Sequence, residues 1–217
     1  NAVLGWARML RAAPVEPQVR ARALESIERN AQAQFRLIED LLEISRIVTG
    51  KLRIQVKETD LSAIVDAAVE VVQPAAAARR ITLNSDITVR PAPTTGDPDR
   101  LQQVVWNLLS NAVKFTPEGG HVSIRLERDS GYRIRVSDTG QGIDPRFVPH
   151  MFEAFRQADG TTSREHGGLG LGLAIARQLV ELHGGTITAH SEGKGRGATF
   201  EVYLPSVPAA APKPPQP

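Results

Sequence analysis

Between Gln18 and Thr49 the chain carries neither glycine nor proline, and this stretch commits it to one long helix. Apolar residues recur at Leu24, Ile27, Ala31, Ile38, Leu41 and Val48, close to a 3.5-residue period, with Gln34 and Ser45 as polar breaks. Phe35, Leu42 and Ile44 widen the stripe beyond a two-stranded seam, as in a four-helix bundle. Such a helix would be about 48 Å long at about 1.5 Å per residue. Asn1–Arg11, with Val3, Leu4, Trp6, Met9 and Leu10, reads as a shorter helix, and Pro14 and Pro17 mark a turn between the two. One long helix and a short one cannot close a bundle alone, so residues 1–50 imply a homodimer through this helical hairpin. The alternative is a long helix packed on its own domain.

Residues 51–204 change character. Leu52–Lys57 alternates like a strand, Leu61–Ala78 is helical with Asp60 or Ser62 as its cap, and Arg80–Asn84 is a second strand. Pro98–Phe115 is a strong helix starting after Asp97. His121–Glu127 and Tyr132–Ser137 alternate strictly around Arg128-Asp129-Ser130-Gly131, which predicts a hairpin. Gly170–His183 is a helix closed by Gly184-Gly185, followed by the strand pair Thr186–His190 and Ala198–Leu204. Helices and strands mix without regular βαβ alternation, so the expected class is α+β. From Pro205 to Pro217 lie six of the fifteen prolines, a linker or disordered tail with polyproline II character.

Composition removes several function classes. Lys plus Arg number 26 against 24 Asp plus Glu, spread evenly along the chain, so no segment concentrates the basic charge that nucleic-acid binding needs. Cysteine is absent, which excludes disulfides, thiolate metal sites and cysteine nucleophiles. No apolar run reaches about 18 residues, so no membrane contact is expected.

The chemistry concentrates in four segments. Asn107 and Asn111 are four apart on one helix and leave the same face, with Lys114 three further on. Two amides and an ammonium suit phosphates and a hard cation, since Mg²⁺ prefers oxygen ligands and keeps several waters. A merely solvated polar face is the alternative, although Asn is a poor helix former. Asp138-Thr-Gly140-Gln-Gly142-Ile143 comes directly after a strand, where a carboxylate can accept a purine amino proton and glycines admit a flat base. A tight turn capped by Asp138 explains that segment equally well. Gly167-Gly168-Leu169-Gly170-Leu171-Gly172-Leu173 opens a helix, where backbone N–H groups and the macrodipole favour anions. A Rossmann loop needs a strand immediately before it, and residues 157–166 are polar and irregular. No Walker loop is present, and Gly193-Lys-Gly-Arg-Gly197 reads as a hairpin turn.

Together these segments resemble the core of bacterial sensor histidine kinases across residues 1–204. Asn107–Phe115 resembles the family's N box, Asp138-x-Gly140-x-Gly142 its first glycine box and Phe152-Glu-Ala-Phe155-Arg156-Gln157 its F box. Gly168-x-Gly170-x-Gly172 resembles the second glycine box, and Gly197-Ala-Thr199-Phe200 the last. The resemblance implies a two-layer α/β sandwich of the Bergerat type, ATP and Mg²⁺ as ligands, and a partial dimerisation and phosphotransfer hairpin over 1–50.

That resemblance assigns roles residue by residue. Asn111 would ligate Mg²⁺, Asn107 would support the phosphates, Lys114 would pair with phosphate oxygens and Phe115 would cover the base. Asp138 would hold the adenine amino group with Thr199 beside it, and Gly140, Gly142 and Ile143 would line the base. Gly168, Leu169, Gly170, Leu171 and Gly172 would border the phosphates. Residues 153–169 would form a lid, with Arg156 and Arg164 as candidate charge partners. ATPase branches of the superfamily place a Glu general base where Asn107 stands. An amide takes no proton at neutral pH, so efficient ATP hydrolysis is disfavoured while phosphoryl transfer to a supplied nucleophile remains open.

The opening Asn-Ala-Val-Leu-Gly-Trp-Ala-Arg-Met-Leu resembles the segment immediately after the family's phosphoacceptor motif, which places that histidine upstream of Asn1. None of His121, His150, His166, His183 and His190 sits in such a context, although His166 in the lid is a candidate phosphate contact. The resemblance also implies a cytoplasmic location and a response regulator receiver domain as partner, in trans or after the Pro-rich tail. A nucleotide-driven ATPase clamp and a non-catalytic dimeric adaptor are the competing functions.

Overall fold

The computed structural model describes residues 2–12, 15–157 and 169–206, in two units that divide after Lys51. The first unit holds helices α1 (Ala2–Ala12) and α2 (Pro17–Val48). Pro17 starts α2 because a helix's first N–H groups have no intrahelical partner to lose. Ala23 and Ile44 are buried, but Leu24, Phe35, Ile38, Leu41, Leu42 and Val48 stand at least half exposed.

The second unit contains β1 (Lys57–Asp60), α3 (Leu61–Ala78), β2 (Thr82–Ile87), β3 (Pro93–Gly96) and α4 (Pro98–Phe115). It continues with β4 (His121–Arg128), β5 (Gly131–Asp138), a 3-10 turn (Val148–His150), α5 (Gly172–Leu182), β6 (Thr186–His190) and β7 (Ala198–Pro205). The sheet order is β2-β4-β5-β7-β6, with β2–β4 parallel and the remaining pairs antiparallel. This is the expected two-layer α+β sandwich.

Alternation along the strands builds the core. Val122, Ile124 and Leu126, Tyr132, Ile134 and Val136, and Phe200, Val202 and Leu204 are all buried. Against them pack Leu101, Val105, Leu108 and Leu109 of α4 and Ile175, Leu179 and Val180 of α5, each such side chain contributing about 1.5–3 kcal/mol. The other face of the sheet is polar: Asp86, Arg125, Arg135, Glu201 and Thr188 form one continuous cross-strand row. Arg133 and Arg135 both pair with Glu201 there, at 2.5 and 2.8 Å.

Two expectations need correction, and one strand was not expected at all. Residues 52–56 form no strand; the backbone N–H of Gln55 goes instead to the Asp97 carboxylate at 2.8 Å. The strand of that region is β1, paired antiparallel with β3, whose Pro-Thr-Thr-Gly sequence carries no strand pattern. The strand expected at Arg80 starts at Thr82, because Arg80, with φ 54°, closes α3: its N–H reaches Ala77 O, and that of Ile81 reaches Ala76 O, at 2.9 Å each. By length and mean composition α3 could also cross a membrane, but Asp66 and Glu70 interrupt its apolar residues, and Leu61, Val65, Ala68 and Val72 are buried in the sandwich.

Candidate nucleotide site

The α4 helix begins as its sequence dictates. Asp97 caps it by accepting the N–H of Arg100, Pro98 takes the first turn, and Arg79 closes the other end. The Arg79 guanidinium donates to the carbonyls of Val113 and Lys114, where the helix dipole is negative. Asn107 is buried on the side of α4 that meets α5, and a Cβ at Gly172 would come within 3.3 Å of its Oδ1. Glycine at the first position of α5 therefore lets the two helices close around that amide. Asn111 and Lys114 come next on the same face at intermediate exposure. Burial holds the Lys114 ammonium below the usual lysine range, and Nζ lies 4.9 Å from the Phe115 ring centroid.

The carboxylate of Asp138 lies at the inward-facing end of β5. Burial raises its pKa above the ordinary carboxylate value, and the opposing N–H groups of Gly140 and Ala198 do not restore it. Gly140 donates to Oδ1 at 2.8 Å. The C-terminus of α4 is tied to the same loop, since Gln141 donates to the Phe115 carbonyl at 3.1 Å. The amide–lysine helix and the acidic loop thus share one boundary at Phe115.

Glycines are required where this loop meets the turn before β7. Gly142 has φ +67°, and a Cβ there would lie 2.0 Å from the Gly193 carbonyl; Gly197 has φ +68°, with the Asp138 carbonyl at the same distance. Ser191 joins the two segments. Its Oγ accepts the Ile143 N–H at 2.9 Å and donates to the Gly197 carbonyl at 2.6 Å. The sequence reading missed Ser191, because a lone serine after a strand carries no signal of which loops it will bridge.

Not every expected residue is brought to this place. Register pairs Asp138 with Ala198 and Ser137 with Thr199, so Thr199 lies on the opposite face of the sheet from the Asp138 side chain. Its hydroxyl is 2.9 Å from that of Ser137. The structure therefore does not place Thr199 beside Asp138; Ala198, through its backbone N–H, stands there instead. In the F box, Phe152 meets Phe200 edge to face at 6.5 Å, and Phe155 is exposed with φ 64°. Arg156 is paired with Glu153 at 2.9 Å, and its carbonyl approaches Gly170. Leu171 is buried and Leu169 exposed. Arg164, His166, Gly167 and Gly168 lie outside the described residues.

The donor set fits a cation held mainly by its ligand. Among the described residues no group of three or more His, Cys, Asp or Glu side chains can hold a metal. Asn111 offers one amide oxygen, which suits Mg²⁺ completed by phosphate oxygens and water.

Residues 96–208, slightly more than half of the chain, match the family of histidine kinase-, DNA gyrase B- and HSP90-like ATPases. The chain belongs to this family. Among its members, the chain is similar to sensor histidine kinases. It is 38% identical over 207 residues to hybrid signal transduction histidine kinase D of Dictyostelium discoideum, covering 93% of the chain and 13% of that protein. It is 38% identical over 212 residues to the signal transduction histidine-protein kinase BarA of Escherichia coli, covering 94% of the chain and 23% of that protein. The chain thus spans a quarter or less of the length of these two relatives. Among solved structures, full-length ShkA in complex with AMPPNP superposes with TM-score 0.76 at 30% identity, covering 97% of this chain and 44% of that one. The mycobacterial sensor histidine kinase MprB superposes with TM-score 0.61 at 30% identity, over 70% of this chain and 98% of its own. The second unit is therefore a histidine kinase-type ATP-binding domain.

Proposed function

We propose that this chain is the kinase core of a two-component phosphorelay, binding Mg-ATP and transferring the γ-phosphoryl group to a histidine on a preceding segment of a longer protein. The observation that carries this reading is the junction at Phe115. There the end of the helix carrying Asn107, Asn111 and Lys114 is hydrogen-bonded to the loop that follows the half-buried Asp138, which supports a phosphate wall on one side and a purine wall on the other.

In this reading Asp138 accepts the adenine amino proton through the oxygen not engaged by Gly140. The low dielectric that raises its pKa also strengthens that hydrogen bond. Gly140, Gly142 and Ile143 bound the base, and Phe115 covers it. The Lys114 ammonium pairs with phosphate oxygens, whose negative charge opposes the lowering of its pKa by burial. Asn111 would hold Mg²⁺, which would supply charge neutralisation at the phosphates. Asn107 cannot act as a base toward water, so catalysis rests on positioning a supplied nucleophile. A ring nitrogen of the acceptor histidine forms the new N–P bond as the bond between the γ-phosphorus and the bridging oxygen breaks, and ADP leaves with that electron pair.

The exposed stripe of α2 supports a homodimer through the hairpin, with Phe35 62% and Val48 80% exposed in the single chain. A receiver domain, in trans or after the tail, is the phosphoryl acceptor in turn, and the location is cytoplasmic.

Incubation with γ-labelled Mg-ATP and a separately supplied hairpin carrying the family's acceptor histidine tests the reading. The hairpin should acquire acid-labile label, this chain should remain unlabelled, and steady-state phosphate release should be negligible. Phosphate release without transfer would make the chain an ATPase clamp; absence of nucleotide binding would make it an adaptor.

A further inference from the structure

A second surface lies where α4 meets α3. A shallow groove of ≈ 290 Å³ runs between α3 and α4, lined by Val71, Asp99, Gln102, Gln103 and Trp106. Its make-up is an indole, one aliphatic side chain, two primary amides and one carboxylate. That combination suits an extended proline-rich strand. Such a strand has no internal hydrogen bonds, so its carbonyls accept from side-chain amides while its rings lie on an aromatic face.

The chain carries a segment of that chemistry in residues 207–217, which lie outside the described residues. Pro208, Pro212, Pro214, Pro215 and Pro217 are set around a single charge, Lys213, opposite in sign to Asp99. The point where this segment begins is also close to the groove. A Cβ at Gly184 would lie 3.8 Å from Pro205 Cγ, and the neighbouring His183 accepts the Asp97 N–H at 2.9 Å. From Asp97, α4 runs directly into the groove, rising about 14 Å to Trp106 at about 1.5 Å per residue. Residues 207–217 span about 34 Å at about 3.1 Å per residue, which covers this route.

We propose that the segment 207–217 docks in the α3–α4 groove of its own chain, with prolines on Trp106 and Val71 and Lys213 paired with Asp99. A tether this short gives a local concentration on the order of millimolar, so an intrinsic affinity in that range suffices. Docking would fix where any following segment leaves the ATP-binding unit, on the side of α4 that faces α3.

The absence of native cysteine allows a single spin label at Gln216→Cys on the full chain. The Trp106 indole N–H and the side-chain amides of Gln102 and Gln103 should lose more than half of their NMR intensity, with Arg125 and Thr188 on the polar sheet face unaffected. Lys213→Glu with Pro214→Gly and Pro215→Gly, which alters only the tail, should restore at least half of the lost intensity. Weak broadening spread evenly over the surface would overturn the proposal, as would full broadening persisting in the tail variant. Labelling only the NMR-silent member of a mixed sample should broaden nothing; broadening there assigns the groove to a second copy and also overturns it.

Discussion

The imidazole of His183 joins the end of one helix to the start of another: Nε2 accepts the backbone N–H of Asp97 at 2.9 Å while Nδ1 lies 2.7 Å from the Leu179 carbonyl. This geometry requires a neutral ring with its proton on Nδ1. Through Asp97, which also accepts from Gln55 and Arg100, the contact links the segment entering the ATP-binding unit to α4 and α5. His183→Ala should leave the Asp97 N–H without its protein acceptor and cost about 1–3 kcal/mol. Calorimetry should show the corresponding fall in Tm, about 2–4 °C per kcal/mol for a chain of this size. His190→Ala, on the exposed edge strand β6, should stay within about 0.5 kcal/mol of wild type. Equal effects would remove His183 from this role.

Asp138 and Thr199 separate the two faces of the sheet. Asp138→Asn should weaken ATP binding by about 10- to 150-fold, the equivalent of a charge-assisted hydrogen bond of about 1.5–3 kcal/mol. Thr199→Val should leave ATP affinity within about twofold while losing a surface hydrogen bond of about 1 kcal/mol. Isothermal titration distinguishes them, and a large loss of affinity in Thr199→Val would contradict the register of β5 and β7.

The raised pKa of Asp138 predicts a pH profile with a definite sign. Its ionised form is disfavoured by burial in the folded chain, so this group adds stability as pH falls from its raised folded pKa toward the unfolded value near 3.8. Nucleotide affinity should move the opposite way. Gly140 already donates to Oδ1, so an added proton competes with the adenine amino group for the carboxylate. Affinity measured from neutral pH downward should begin to fall above the ordinary carboxylate range, and Asp138→Asn should abolish that slope.

Two glycines of one turn provide a paired test of close approach. Gly195 and Gly197 both have positive φ, at +76° and +68°, but only Gly197 faces backbone within 4 Å. Gly195→Ala should cost about 1–2 kcal/mol for the left-handed conformation alone. Gly197→Ala adds a collision with the Asp138 carbonyl, for a total of about 2–5 kcal/mol, and should lower ATP affinity as well. Chemical denaturation and nucleotide titration report the two quantities.

Ile38 and Leu41 of α2 are 58% and 50% exposed in the single chain. Ile38→Glu with Leu41→Glu should convert a dimer to monomer in light scattering while leaving the thermal transition of the ATP-binding unit and its nucleotide affinity unchanged. A wild-type chain that is already monomeric would remove the dimer from the proposed function.

Much of the fold was legible where local chemistry is self-sufficient. Asp97, Pro98 and the apolar spacing through Phe115 delimit α4 without reference to anything distant, and α4 runs over those residues. Gly184 and Gly185 close α5 as expected, their N–H groups reaching Glu181 and Val180 at 2.9 Å. Alternation delimited β4 and β5 to within a residue at most ends, because one face of each meets the core. The β1–β3 ribbon was not legible, since Pro93-Thr-Thr-Gly96 acquires its strand conformation only from its partner. The start of β2 was misplaced because Arg80 adopts at a helix end a backbone conformation usually left to glycine.

The order and spacing of the N box, glycine boxes and F box determined the family and the two-layer class, since the N box lies on one helix and Asp138 and Gly197 at a strand end and a glycine turn whose conformations are local. Which side chains actually face one another was decided by tertiary structure alone. A strand reverses its side chains at every residue, so only the Asp138–Ala198 register could put Thr199 on the far face, and only the convergence of two loops could make Ser191 their common partner. Pairing between segments distant in sequence arises from the shared core they bury, and no single segment encodes it.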